Sequence, residues 1–262
     1  MNFNFKNKNV FISGATHGIG LDCAISFAKL GANVITFSRD KKKITNVKKK
    51  LVSLRANHLI EVGDILDEKF VHSFSKLVLK KYKNIDILIH NVGGGGRWGK
   101  DNFLDTDLNV WNEVYLKNNR GLILFTKYFL PTMIKKKWGR VIAIGSVCGI
   151  ESRKEDRAWF SAAKAAQHAI IKSFSKKHYF TKKNVTFNTV SPGPIFIKNT
   201  GWDEEKKRNP KKFKKYIDET IPTKNLGEPE DVSNLCIFLS TDYAKYINGS
   251  NLVIDGGVTN FI

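Results

Sequence analysis

Short apolar runs and longer amphipathic stretches alternate along the chain from end to end. The short runs, at 10–13, 33–37, 59–62, 86–90, 141–144, 185–190 and 252–254, are rich in Val, Ile and Phe, and several are apolar at every position. A strand with one wet face alternates polar and apolar residues; a strand covered on both faces does not. These seven therefore read as strands of a parallel sheet between two helical layers. Apolar residues recur at helical spacing over about 18–30, 41–56, 67–83, 107–135, 157–181 and 229–241, which predicts the helices. With no internal repeat and no long linker, the pattern predicts one α/β domain over 1–262. The stretch at about 195–225 is charged, contains Trp202 and shows neither period; it reads as a mobile substrate flap rather than core.

Composition changes this picture little. A chain of 262 residues with 42% hydrophobic and 26% charged residues suits one soluble domain with a sizeable core. No apolar run reaches the 18 residues of a membrane span. The start, Met1 to Lys6, has no apolar signal core, so a cytoplasmic protein is expected. Cys23, Cys148 and Cys236 lie far apart without a CxxC, which argues against a disulfide framework and a Cys-type zinc site, and no metal is expected.

The charge needs more thought. Forty-four basic side chains against 24 acidic give +20, but only eight of the 44 are Arg, and Asn occurs 23 times. A nucleic-acid reader favours the bidentate guanidinium. Enrichment in Lys and Asn looks instead like a compositional habit, so no nucleic-acid partner is expected. The field still draws anionic ligands at low salt.

Candidate chemistry begins after the first strand, at Ser13-Gly14-Ala15-Thr16-His17-Gly18-Ile19-Gly20. Three glycines between a strand and a helix let the backbone turn tightly and bring a pyrophosphate to the helix N-terminus, where unpaired N–H groups favour negative charge. This is the phosphate loop of a Rossmann-type, doubly wound fold, and Thr16, His17 and Ile19 share it with Gly14, Gly18 and Gly20. The ribose should be read at the end of the second strand, Phe37-Ser38-Arg39-Asp40. Arg39 suits a 2′-phosphate and so favours NADP(H) over NAD(H), whereas Asp40, one position later, would accept from a 2′-hydroxyl.

These residues resemble the short-chain dehydrogenase/reductase family over nearly the whole chain. Asp64 with Ile65 matches the family's adenine-contacting Asp, and Asn91-Val92-Gly93 its Asn-Ala-Gly. Asn118, thirteen residues before Pro131, matches the helix Asn, with Asn119 beside it. Ser146 matches the strand-five Ser, Pro192-Gly193 the Pro-Gly after strand six, with Ile195 just beyond, and Asp255-Gly256-Gly257 the terminal Asp-Gly-Gly. The resemblance implies a seven-stranded NAD(P)(H)-binding fold, cofactor contacts from these residues and a catalytic set of Ser146, Lys164 and Asn118, with an ordered water beside the Lys. It further implies a homotetramer or homodimer, joined through the long helices and the C-terminal strand. Leu122, Ile123, Leu124 and Phe125, and the tail 258–262, offer apolar surface for that.

One position departs from the family. Its motif is Tyr-x-x-x-Lys; Lys164 is present, but four residues earlier stands Phe160, and Trp159, thirteen residues after Ser146, carries no hydroxyl either. Hydride addition to a carbonyl builds charge on oxygen that a positioned acid must meet, and losing such an acid removes a factor of roughly 10²–10⁴. Ser146 and Lys164 still offer a hydrogen bond and a positive field. The expectation is an NADP(H)-dependent oxidoreductase acting on a small, anionic substrate by carbonyl, alcohol or conjugated C=C chemistry; the alternative is a non-catalytic NADP(H)-binding sensor or partner subunit. Arg97, in the loop 93–98, and the flap lysines are placed to meet an anionic group, and Trp98, Trp159 and Trp202 to line a cleft.

Overall fold

The structure, a computed structural model, describes residues 3–54, 56–95, 97–100, 103–151 and 157–260; Gly96, Phe261 and Ile262, invoked above, lie outside them. The strands are β1 (Asn9–Ser13), β2 (Asn33–Ser38), β3 (Leu59–Val62), β4 (Ile87–His90), β5 (Gly139–Ile144), β6 (Val185–Pro192) and β7 (Asn251–Ile254). All pair in parallel in the order β3-β2-β1-β4-β5-β6-β7. The order reverses between β1 and β4, and a doubly wound sheet binds its ligand at the carboxyl ends of such a pair. Ser13 and His90 are opposite one another there.

Strand side chains alternate between faces, and here both faces are dry. Val10 and Ile12 point into one core, with α1 (Gly18–Lys29), α2 (Lys41–Val52) and α9 (Pro229–Leu239). Phe11 points into the other, with α3 (Glu68–Tyr82), α4 (Leu108–Lys136) and α5 (Ala158–Ser175). Phe11 alone meets Phe37, Phe74, Phe125 and Phe129 at centroid separations of 4.5–6.2 Å.

Three expectations need correction. The helix expected to run to 181 stops at Ser175, where Gly249 packs on the Ser175 hydroxyl, and α6 (His178–Thr181) follows as a separate turn. The stretch 195–225 carries two helices, α7 (Gly201–Arg208) and α8 (Pro210–Thr220). In α8 the apolar residues Phe213, Tyr216 and Ile217 fall at helical spacing but are set among lysines, and α7 has little beyond Trp202. Ion pairs spaced i,i+4 (Asp203–Lys207, Lys214–Asp218, Lys215–Glu219) and an Asn209 cap with Pro210 behind it supply what the pattern lacks. Finally, Leu122 and Phe125 are wholly buried within this chain. The apolar groove on that side is formed by Ile123, Leu130, Pro131 and Ile134 of α4 with Phe174 and Phe180.

Candidate active site

The loop from β1 into α1 is built for close approach. Gly14 has φ +71°, and a Cβ there would lie 2.7 Å from the Val92 side chain. Asn91 ties the two loops together: its Nδ2 donates to the Ser13 and Gly14 carbonyls at 3.2 and 3.0 Å. The Ser13 hydroxyl accepts from the Asn91 and Val92 N–H groups at 3.0 and 3.1 Å. His17 is the N-cap of α1, yet its side chain caps nothing and no acidic residue sits in the first turn. The open N–H groups of that turn are an anion site. A cradle that a Cβ would fill, beside an uncapped helix N-terminus, fits a dinucleotide pyrophosphate.

Along the crevice, Gly14, Arg39, Asp64, Ile65 and Val92 share a cavity of about 150 Å³ with Trp98 and Lys117. Arg39 stands 3.6 Å from Asp64 in an exposed ion pair. Asp40 is otherwise engaged, its carboxylate accepting from the Lys42 and Lys43 N–H groups at 2.9 and 3.1 Å as the cap of α2. The Thr16 hydroxyl donates to the Ser38 hydroxyl at 3.2 Å, fixing the loop against the end of β2. His17 turns elsewhere, to the Lys198 carbonyl 3.0 Å away, and Gly18 packs under Ile197, so the phosphate loop touches the start of the flap. Ile19 packs partly against the core. Beyond β6, Gly193 N–H donates to the Ile254 carbonyl at 2.9 Å, following Pro192, while Ile195 bridges to Gly227 and is buried.

Asn118 and Lys164 meet beneath Gly93, with Phe160 near the lysine. A Cβ on Gly93 would lie 2.6 Å from Asn118 Oδ1 and 3.0 Å from Lys164 Nζ, so only glycine lets this loop pass. Asn118, buried in α4, holds Gly94 from both sides, accepting from its N–H at 3.2 Å and donating to its carbonyl at 2.9 Å. Its neighbour Asn119 faces α5 instead, donating to the Ala163 carbonyl at 3.0 Å. Lys164 Nζ donates to the Ile144 carbonyl at 2.8 Å and to Gln167 Oε1 at 2.9 Å. Burial pushes it down to about 7, against a smaller opposing pull from Cys148. Ser146 caps the 3-10 turn Val147–Gly149, its hydroxyl accepting from Cys148 N–H at 3.2 Å, with its own proton left to donate. Phe160 packs against Val114, Trp159 and Ala163, its ring centre 5.8 Å from Lys164 Nζ.

Two members of this site escaped the sequence reading. Gln167, wholly buried, spans from Lys164 to the Asn118 carbonyl, to which its Nε2 donates at 2.8 Å. His90 reaches the same carbonyl through Nε2 at 2.9 Å and takes the Ser13 hydroxyl on Nδ1 at 3.2 Å. Burial pushes His90 down to about 3, so it stays neutral, with its proton on Nε2 because a carbonyl only accepts. A signal existed for Gln167: it lies on the α5 face of Lys164 and Ile171, where an amide is out of place.

A family profile described as enoyl-(acyl carrier protein) reductase matches residues 14–259. The chain is 31% identical over 254 residues to the 3-oxoacyl-[acyl-carrier-protein] reductase of Buchnera aphidicola subsp. Schizaphis graminum, covering 97% of this chain and 98% of the relative. It belongs to the short-chain dehydrogenase/reductase family. Another relative is mouse dehydrogenase/reductase SDR family member 4, 29% identical, with 96% and 87% covered. Among solved structures, the L-sorbose reductase of Gluconobacter frateurii with NADPH and L-sorbose shares the fold at TM-score 0.89 and 24% identity over the full length of both chains. A 7α-hydroxysteroid dehydrogenase with NADH does so at 0.87, also at 24% identity, over 99% and 97%. The protein is an NAD(P)-dependent oxidoreductase of that family. Among the described residues no helix is long and apolar enough to cross a membrane, and no His, Cys, Asp or Glu group could hold a metal ion.

Proposed function

We propose that the protein is an NADP(H)-dependent reductase or dehydrogenase that moves hydride to or from a small anionic substrate without a phenolic acid. When bound, the reduced nicotinamide supplies the hydride. Gly14, Thr16, Gly18, Ile19 and Gly20 hold the pyrophosphate with His17 at the rim; Asp64, Ile65, Asn91, Val92 and Gly93 line the dinucleotide path, and Pro192, Gly193 and Ile195 close it. The observation that carries the reading is the pairing of Phe160 with an intact Ser146, Asn118 and Lys164. Ser146 donates a hydrogen bond to the oxygen that gains charge, Lys164 supplies positive field below its pKa, and the proton comes from water or from the substrate. Reduction of a conjugated C=C suits such a site, because the charge spreads into an enolate and carbon is protonated later. Turnover with NADPH across enones, ketones and sugars tests this. Bound NADPH with no turnover on any of them would favour the sensor or partner-subunit alternative.

The preference for NADP(H) rests on Arg39, whose guanidinium stands exposed at the ribose end while Asp40 is spent on capping α2. NADPH should bind at least tenfold more tightly than NADH, and Arg39→Ala should remove most of the difference; equal affinities in the wild type would overturn the assignment. Residues 1–262 act as one cytoplasmic dinucleotide-binding domain with 195–225 as the substrate flap, assembled as a homotetramer through the α4 groove.

A further inference from the structure

The cleft between the β4–α4 loop, the start of α5 and the flap gathers a charge that hydride transfer does not require. Arg97, Arg157, Arg208 and Lys212 line it together with one acid, Glu205, around a volume of about 660 Å³. The chain has only eight arginines among 44 basic residues, and three of them meet here from three separate elements. A general surplus of lysine does not explain that. Its wall is aromatic: Trp202 and Tyr216 stack at 5.0 Å and 27°, with Phe213 packed 6.3 Å from Trp202. The cleft adjoins the reacting end of the site. The Arg157 carbonyl accepts from Phe160 N–H at 2.9 Å, and Gly99, which also lines it, packs against the Trp159 ring.

We propose that this cleft is the subsite for a phosphate monoester on the substrate, with Arg97, Arg157 and Arg208 as donors and the Trp202–Tyr216 stack as the wall for the carbon skeleton. The proposal rests on the oxidoreductase reading for its placement beside the reacting centre. Four cations line the cleft against Glu205 and the Glu204 that pairs with Arg97, an excess of positive charge that a phosphate dianion offsets better than a carboxylate does. Geometry points the same way. Three guanidiniums approaching from three directions are matched by the three terminal oxygens of a phosphate monoester, which spread in three dimensions, whereas the two oxygens of a carboxylate lie in one plane. Two of the guanidiniums meanwhile hold carboxylates of α7: Arg97 with Glu204 at 3.2 Å and Arg208 with Glu205 at 2.5 Å. The Arg208 hydrogen bond, with Lys212 and Arg97 behind it, holds Glu205 below the usual carboxylate range. Exposed pairs of this kind hold weakly. An incoming dianion displaces them and draws α7 toward the α5 end of the cleft.

The test is calorimetric titration of the whole protein with phenyl phosphate, benzoate and benzyl alcohol, which share a ring and differ in the anion. Saturating NADPH is present, so that the cofactor's own phosphate sites are filled. Phenyl phosphate should bind at least tenfold more tightly than benzoate, and benzyl alcohol should not bind measurably. Arg157→Gln and Arg208→Gln should each weaken phenyl phosphate at least fivefold and leave the NADPH affinity within twofold. Equal binding of phosphate and carboxylate would overturn the phosphate assignment, and so would phosphate binding indifferent to both arginine variants. The NADPH titration alone reads the underlying oxidoreductase assignment. If NADPH fails to bind while phenyl phosphate still binds through the arginines, that assignment falls and the phosphate subsite stands.

Discussion

Phe160→Tyr adds one hydroxyl at the position where the resemblance places the family's acid, and the structure sets what that hydroxyl should gain. The ring centre lies 5.8 Å from Lys164 Nζ, one helical turn away. A free phenol titrates at about 10. A unit charge at about 6 Å is worth roughly 3 kcal/mol at a protein-like dielectric, or about two pKa units, which draws the phenol toward neutrality. That help depends on Lys164 being charged, and burial holds it at about 7. The gain should therefore be largest at or below pH 7 and shrink above it as the lysine loses its proton. Against it stands a cost of about 1–3 kcal/mol if the hydroxyl finds no partner beside Trp159 and Val114. Since a positioned acid is worth roughly 10²–10⁴, the net expectation is at least a tenfold rise in kcat for ketone reduction with NADPH at pH 6.5. Phe160→Tyr/Lys164→Met should lose the gain. An unchanged or lower rate in Phe160→Tyr, with melting temperature and NADPH affinity intact, would refute the view that position 160 is simply an acid removed. It would place the native reaction with substrates that need no phenol.

Burial of Lys164 also has a consequence for stability. Its pKa is lower in the folded chain than in the unfolded one, so the unfolded state binds more protons between about pH 7 and 10.5, and stability rises with pH across that window. The cost is fully present below pH 7. Relative to Lys164→Met, the wild-type protein without cofactor should lose about 2–3 kcal/mol between pH 9 and pH 6, read from urea unfolding of both proteins; parallel pH profiles would contradict the buried lysine. In the Phe160→Tyr background, Gln167→Ala should raise ketone reduction severalfold further by opening space for water beside Lys164, and a loss of rate would instead make the amide a needed support. Sedimentation at micromolar concentration should show a tetramer, with Ile123→Asp in the α4 groove driving it toward smaller species; a wild-type monomer would refute the assembly.

The sheet and its order of elements were legible because strands buried on both faces leave unbroken apolar runs, as at 87–90, and because Gly14, Gly18 and Gly20 stand where a strand gives way to a helix. Asp64, Asn91, Asn118 and Ser146 could be placed by order along the chain. What distinguishes Arg39 from Asp40 was not legible: it depends on which carboxylate caps α2, a matter of backbone N–H direction. Helices α7 and α8 were missed because their apolar face is confined to Phe213, Tyr216 and Ile217 of α8, with ion pairs and an Asn-Pro start specifying the rest. Leu122 and Phe125 were read as assembly surface because four successive apolar residues on a helix give no indication of which two face the sheet. Arg157 drew no notice because it joins Arg97 and Arg208 only through the folded flap.

Gln167 shows most clearly how a departure in one residue spreads to its surroundings. Phe160, Lys164 and Gln167 lie at i, i+4 and i+7 on α5, on one face. The resemblance to the family implies an ordered water beside the lysine, anchored by the helix Asn, and a water can both accept and donate a proton. In this chain an amide makes that span, accepting from Lys164 at one end and donating to the Asn118 carbonyl at the other. An amide holds its acceptor and donor on different atoms, so it fixes the lysine without relaying a proton. The same carbonyl also takes His90, which burial keeps neutral and which ties it through Ser13 to the Asn91 loop. The polar chain is thus complete from Lys164 to the dinucleotide crevice, every link is a holding contact, and none ends in a group with a proton to give at neutral pH except Lys164 itself. With an apolar ring at 160 and an amide at 167, this face of α5 positions charge and shape around a hydride acceptor. On the function proposed above, the proton is supplied from the solvent or substrate side of the crevice, beside the arginine-lined cleft.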